Sequence, residues 1–505
     1  MAISFNNIPT TIRLPGAYNE IDNSRALTGL VQNPHKVLIL GQKITAGTAA
    51  TDTIQDISSN GLADGYFGPG SILARMCNVF KDTNEFTQLQ ALALSDAGAG
   101  AIASATVTFS ILLSATGYSL SGAETLFLRV GGKKVHTALT SGWSATDVNS
   151  AVVNEINTDS TLAVTASTNA ASALNILAVN NGAIGNFIDI RVNYGTGESN
   201  PTGFDSTVLF ASILSVMEGG ANNPDITDAW AVIEGEQFDH IIVPYFDADN
   251  LLALHNELDD RFGPLEDLQG HGYTVYPGAY ASVLTKGNSN NSPYVTLMGA
   301  KDSPTPNDEW AASLGGLCSF YLNQDPARPL HFLEMPSIIL APAISDRFNY
   351  TERNNLLYDG VSTFIVDSAG AVRFERIITT YQVNALSVAD PSYLNIQTMF
   401  TLKEISYQYK TRMVNRFIIP RFKLADDGFP VQAGSFIATP TVVKQEAIAL
   451  FTLLRDNGLI ENLDDFVDNI RVERNLSDRD RVDVLLPPDL INQFRILAGL
   501  IQFIL

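Results

Sequence analysis

Little in this sequence looks equipped for chemistry. Of its 505 residues only two are cysteines, Cys77 and Cys318. They stand far apart at no metal or redox spacing, which excludes a disulfide framework and reads as two buried free thiols. Positive charge is scarce: 31 Lys and Arg face 53 Asp and Glu, for a formal net charge of -22. That argues against a nucleic-acid partner, whose phosphates need a basic surface. High like charge also keeps a subunit soluble until a specific partner offsets it. No run approaches the ~20 apolar residues of a membrane span. The opening MAISFNNIPTTIRLPG has no basic start followed by an apolar core, so no secretory signal and folding in a cytoplasm are expected.

Catalytic patterns are equally sparse. The histidines, His35, His136, His240, His255, His271 and His331, never pair at metal-ligand spacing and read as structural or surface residues. Neither metal nor cofactor is expected. No serine sits in a nucleophile elbow, and nothing points to a Ser, His and Asp set. Asp247 and Asp249 read as helix-start carboxylates that complement the dipole, and Asp259 and Asp260 as a solvated face. Gly132 and Lys133 are followed by Lys134, not Ser or Thr, so there is no phosphate loop. Gly98, Gly100 and Ala103 fit a dinucleotide fingerprint, with Glu124 further on. The fingerprint needs a helix next, and TVTFSILL alternates as a strand. An α/β nucleotide-binding enzyme is the weakest reading of function.

With 45% hydrophobic residues the chain can fill two to four cores. Residues 1–25 read as an extended arm, broken by Pro9 and Pro15, with Ile3, Phe5, Ile8, Ile12 and Leu14 seeking a partner surface. From 26 to 96 the pattern is β, α, β: the strand PHKVLILGQ, a helix capped by Ser71, and the strand LQALALS. At Asp96 the composition shifts to Ala, Ser, Thr, Gly and Asn. Residues 97–218 read as an inserted, mostly β domain with one helix, from Ser144 or Thr146 to about Asn157; hairpins are expected at Gly131-Gly132 and Asn181-Gly182. From 219 to 360 strands and helices alternate again, implying a parallel sheet with helices on both faces. Residues 361–484 read as an α+β domain: a hairpin turning at Ser368 to Gly370, a long helix from about Ser392 to Asn415 capped by Asp390, a helix started by Thr439-Pro440, and two strands. The fold class is thus an α/β core with an inserted β domain and an α+β C-terminal domain that carries extended arms.

Two features remain. The segment 485–505 ends in LINQFRILAGLIQFIL, with no charge after Arg495. Phe494, Ile496, Leu500, Ile501 and Phe503 are apolar on both faces at a period of two, as in a strand covered on both sides. It could complete the chain's own sheet or, by strand addition, a sheet in another copy. The other feature is a basic run. Lys403, Lys410, Arg412, Arg416, Arg421 and Lys423 stand against Glu404 alone. It is either a solvated helix face or a docking surface for an acidic partner.

The words FNNIPTTIRLPGAYNEIDNSRA, NPHKVLILGQKITAGTA, FGPGSILARM, NGAIGNFIDIRVNY, DGVSTFIVDSAGAVRFERIITTYQ, PRFKLADDG and VERNLSDRDRVDVLLPPDLINQFR, in this order, span almost the whole chain. In them it resembles the tail sheath proteins of contractile-tailed bacteriophages of the Mu-like type. The resemblance implies a non-enzymatic subunit that polymerises as stacked six-membered rings around a tail tube and contracts to drive the tube through the host envelope. It implies neighbouring sheath copies, the tube protein, and baseplate and terminator proteins as partners, with no nucleic acid and no membrane insertion. The place is the virion tail, after assembly in the host cytoplasm. It implies that both arms link neighbours by strand exchange, with hinges at Asn19–Arg25 and Asp478–Asp483. The inserted domain would lie outside, and the C-terminal portion, with its basic run, nearest the tube. The sheath of a phage-derived bacteriocin or another contractile machine is the related alternative. A plain globular oligomer with self-satisfied ends is the bland one.

Overall fold

A computed structural model of the chain describes residues 15–16, 30–107, 124–140, 143, 145–168, 174–195, 197–198, 216–430 and 435–504. The described residues fall into two compact units, one within 34–403 and 492–505, the other within 1–33 and 404–491.

The larger unit opens with β1 (Lys36–Gln42), β2 (Ile54–Asp56), α1 (Leu62–Phe67), α2 (Ile72–Thr83) and β3 (Gln88–Leu94). The expected cap at Ser71 is present: its hydroxyl accepts from the Ala74 N–H at 3.2 Å. Next comes the inserted part: β4 (Ile102–Val107), β5 (Glu124–Val130), β6 (Lys133–Leu139), α3 (Ala145–Thr158), β7 (Val164–Thr168), β8 (Leu174–Asn181) and β9 (Ile190–Val192). The alternating elements follow: α4 (Thr227–Val232), β10 (His240–Ile242), α5 (Ala248–Phe262), β11 (His271–Tyr276), α6 (Tyr280–Asn288), β12 (Val295–Gly299) and α7 (Asn307–Gln324). The unit continues with α8 (Tyr350–Tyr358), β13 (Val361–Val366), β14 (Val372–Arg376) and the first turns of α9 (Ile396–Met413).

Eight of these strands form one sheet in the order β14-β13-β12-β11-β10-β1-β3-β2. The inner strands, β13 through β3, run parallel, and the two edges are antiparallel. Parallel strands covered on both faces need continuous apolar runs, and β1, β3 and β12 supply them. Helix α7 is buried over almost its whole length, so it shows no polar face. It approaches closely through glycine: a Cβ on Gly315 would lie 2.3 Å from Ile242 Cδ1.

The inserted part has its own core, around Leu128, Val152, Ile156, Leu174 and Ile176. Two three-stranded antiparallel sheets, β4-β8-β7 and β6-β5-β9, surround it with α3. Its ends are drawn together by the pairs Ala101↔Ala221 and Ser104↔Glu218. The Gly131-Gly132 hairpin forms, with φ of 54° and 78°. The Asn181-Gly182 hairpin does not: β8 already lies between β4 and β7, so no open edge is left for the chain to fold back on. Gly182 leads instead into a 3-10 turn, Ala183–Phe187. After Gly98 the chain enters a strand, β4 from Ile102, as the alternation there implies, and not the helix that a dinucleotide fingerprint needs.

Two further expectations need correction. The hairpin β13–β14 belongs to the main sheet, because β13 lies parallel beside β12. A boundary at residue 360 would cut that sheet, and the break between units falls after Lys403. Asp390 does not cap α9. Its carboxylate accepts from the Ser392 N–H at 2.9 Å and the Tyr381 hydroxyl at 2.8 Å, forming a turn before the helix. Helix α8 starts at a complete capping box formed by Asn349 and Glu352, although its residues show almost no apolar periodicity.

The smaller unit holds β15 (Lys423–Leu424), β16 (Ile437–Ala438), α10 (Pro440–Asp456), β17 (Ile460–Glu461), α11 (Leu463–Asn469), β18 (Arg471–Arg474), β19 (Val482–Leu485) and β20 (Asp489–Leu490). Thr439 caps α10 with Pro440 in its first turn, as expected. Phe451 stacks on Phe466 at 3.9 Å, fixing α11 against α10. Among the described residues β18 and β19 form a two-stranded hairpin.

Candidate assembly surface

The last segment leaves the fold at a definite point. β20 pairs antiparallel with β17 through Ile460↔Leu490 and Glu461↔Asp489, and the Ile491 N–H donates to Leu459 O at 3.2 Å. Within the larger unit Arg495 is pinned by three amide oxygens, Asn395 Oδ1 at 2.9 Å, Gln397 Oε1 at 3.1 Å and Gln493 Oε1 at 2.9 Å. Burial, helped by nearby Arg376, lowers its pKa to about 10.

Beyond this pin the chain has no secondary structure through residue 504, and its side chains face water. Phe503 is 79% exposed, Ile501 91% and Ile504 99%. Phe494, Ile496, Leu497 and Leu500 are similarly open. Among the described residues the expected strand does not form: 491–504 pair with no strand. Burying each such side chain is worth roughly 1.5–3 kcal/mol. The seven together leave on the order of 10–20 kcal/mol of burial unused, an upper bound. The N-terminal residues Ile3, Phe5, Ile8, Ile12 and Leu14 lie outside the described residues, as does Asn19–Arg25.

The basic run is not one helix face. Lys403 is removed from it: its ammonium pairs with buried Asp239 inside the larger unit. Lys410 and Arg412 lie in the last turns of α9. The helix then widens into a π turn, Val414–Ile418, which carries Arg416. Arg412 Nε meets Glu446 Oε1 at 2.6 Å, and Arg416 Nε lies 3.6 Å from Oε2 of the same carboxylate. Arg421, at φ 60°, and Lys423 in β15 are exposed, beside the open apolar side chains of Ile418 and Ile419.

The supposed hinge at Asp478–Asp483 is a bonded turn. Asn475 Nδ2 donates to Asp483 Oδ2 at 2.6 Å, and the Ser477 and Asp478 N–H groups donate to Asn475 Oδ1. Asp426 holds Arg474 and Arg479 across it. Among the described residues no helix is long and apolar enough to cross a membrane, and no group of three potential ligands is placed to hold a metal.

Residues 219–380 match the family model of the phage tail sheath protein central domain, and residues 388–504 match that of the phage tail sheath C-terminal domain. The Mu-like prophage FluMu tail sheath protein of Haemophilus influenzae is 37% identical over 505 residues, covering all of both chains. The chain belongs to the phage tail sheath family. Members of this family are structural components of the phage tail, not enzymes. Among solved structures, the sheath tail protein of Desulfitobacterium hafniense is similar at a TM-score of 0.47 and 13% identity, covering 94% of this chain and 100% of that one. The helical sheath of the anti-feeding prophage in its contracted state is similar at 0.47 and 8%, covering 97% and 99%. The sheath reading makes sense of an open apolar tail that would be a liability in a solitary globular protein.

The sequence singled out the tail but not its anchor. Arg495 is an isolated cation in an apolar run, and that isolation was the available signal. The pairing of Lys403 with Asp239 links residues 164 apart, which no local pattern can show.

Proposed function

We propose that this chain polymerises as stacked six-membered rings around a tail tube, with its terminal arms completing sheets in neighbouring copies, and that contraction of the polymer drives the tube through the host envelope. The observation that carries this reading is the segment after Arg495, apolar on every side and unpaired among the described residues. Backbone groups in an added strand find their partners in another chain's edge, and alternate side chains fill its pockets. The two-stranded hairpin β18–β19 offers open edges of the kind such an arm needs, since two strands alone are marginal. Linked strands tolerate rigid-body movement of the cores, which is what a contracting polymer requires. Assembly takes place in the host cytoplasm, and the partners are sheath neighbours, the tube, the baseplate and the tail terminator. The inserted part, with its separate core, faces outward.

The tube-facing surface is the basic turn formed by Lys410, Arg412, Arg416, Arg421 and Lys423. Screened surface charge gives a contact weak enough to release on contraction. Arg421 and Lys423 test it best, because reversing Arg412 or Arg416 would crowd Glu446 with carboxylates. Arg421→Glu with Lys423→Glu should abolish assembly on purified tubes while leaving tube-free polymers intact; undiminished assembly on tubes removes this surface.

Deletion of residues 491–505 tests the main proposal. The truncated chain should remain folded and fail to form tubular polymers under the electron microscope. Tubes of ordinary length from the truncated chain would refute the exchanged arm.

A further inference from the structure

Three histidines that lie far apart in sequence meet in the larger unit. His35 precedes β1, His240 opens β10 and His271 opens β11, where His240 and His271 are register partners on adjacent parallel strands. All are buried, at 7%, 0% and 1% exposure. His35 Nδ1 lies 3.0 Å from His240 Nε2, and His240 Nδ1 lies 2.9 Å from the Tyr273 hydroxyl. His271 Nε2 contacts Thr296 Oγ1 of β12 at 2.8 Å, while its Nδ1 is buried without a hydrogen-bond partner.

The lid over this cluster is the start of α9. Phe400 stacks on His240 at 4.8 Å with a 14° interplanar angle, and it also lies within 5.6 Å of His35 and 5.9 Å of His271. One turn on, Lys403 pairs with Asp239, which also accepts from the Lys36 N–H at 2.6 Å. From α7 come the neutral Cys318 thiol, facing Tyr273, and Asn323, whose Oδ1 accepts from the His35 N–H at 3.4 Å. Lys403 and Asp239 are therefore the charged neighbours, and they already cancel each other. A proton added to any of the three rings is a buried charge with no counterion of its own. Two protonated rings would also set N–H against N–H between His35 and His240.

We propose that His35, His240 and His271 form an acid-sensitive latch, in which proton uptake expels Phe400 and Lys403 and so releases the first turns of α9 from the sheet. Burial and the Lys403 charge hold His35 and His271 down at about 3, and burial, with His35, Lys403 and His271 beside it, holds His240 well below its ordinary value. Released rings return to about 6.5. The closed state is thus fully favoured above about pH 6.5 and loses ground as pH falls toward 3. The latch thus holds the first two turns of α9, a helix that continues to Met413.

Hydrogen exchange on the full chain, unpolymerised, tests this without reference to assembly. Protection factors at 396–403, corrected for intrinsic exchange, should fall between pH 7 and pH 5 by about 30-fold for each histidine that gains a proton. Protection in β12 should hold. The double variant His240→Gln, His271→Gln keeps polar side chains that cannot charge in this range, and it should flatten the fall. Unchanged protection at 396–403, or a fall in parallel across the whole chain, would overturn the latch, as would a variant that keeps the original pH slope. If the variant does not fold, the wild-type comparison of α9 with β12 still decides.

Discussion

At the scale of single residues, the least forgiving place is the junction of α2 and α7. Arg75, Asp308 and Glu309 are buried there together. Arg75 Nη2 lies 2.5 Å from Asp308 Oδ2, and Arg75 Nε lies 3.5 Å from Glu309 Oε1. One cation cannot offset two carboxylates, and burial pushes Glu309 from 4.5 up to about 7 despite Arg75. A raised carboxyl favours its protonated form in the folded state. Its contribution is present at low pH and is lost as pH rises from about 4.5 through about 7. Glu309→Gln should therefore flatten the decline in stability over that range, as urea midpoints measured from pH 4.5 to 8 would show. Arg75→Met should cost about 3–5 kcal/mol, because it strands a buried carboxylate. Denaturant unfolding at neutral pH checks this, and a loss below about 1 kcal/mol would mean the site is hydrated. The free thiols, Cys77 and Cys318, are buried, and burial raises both. That expectation held because an apolar surrounding is all a lone cysteine in a core requires.

At the scale of elements, local signals were reliable where the physics is local. The Ser71 and Thr439 caps could be read because a cap depends on two or three adjacent residues. Thr439→Ala should lower stability by about 1 kcal/mol, seen as a shift in the thermal midpoint of the smaller unit. Contacts between elements are less forgiving. Gly70, at φ 79°, meets the inserted part so closely that a Cβ would lie 2.4 Å from Leu162 O. Gly70→Ala should loosen that contact, and faster proteolysis within the inserted part, with the main sheet intact, is the expected readout. The failures were of another kind. Asn181-Gly182 has the composition of a hairpin turn, but β8 has both edges occupied. The alternation of 361–376 marks a hairpin correctly, yet nothing in it says which sheet receives it.

At the scale of the molecule, the chain combines a closed core with an open end. Its main sheet has a hydrogen-bonded strap on one edge, where residues 332–335 cover β14 through bonds such as Phe332 N–H to Phe374 O at 2.7 Å. Among the described residues the tail after Arg495 has no such cover. Removing 491–505 should therefore raise the solubility of the unpolymerised chain as it removes polymerisation, measurable by sedimentation. The sequence by itself determined most of the longer strands, most helices, the compositional shift of the inserted part and the apolar character of the tail. Each of these rests on composition, on apolar spacing or on a turn a few residues long. It also carried the family resemblance, which is a property of word order along the chain. Only the tertiary structure decided what meets across the fold: His35 with His240, Lys403 with Asp239, and β13 with β12. Strand order brings such residues together, and strand order follows from the packing of the whole core, which no short window of sequence contains.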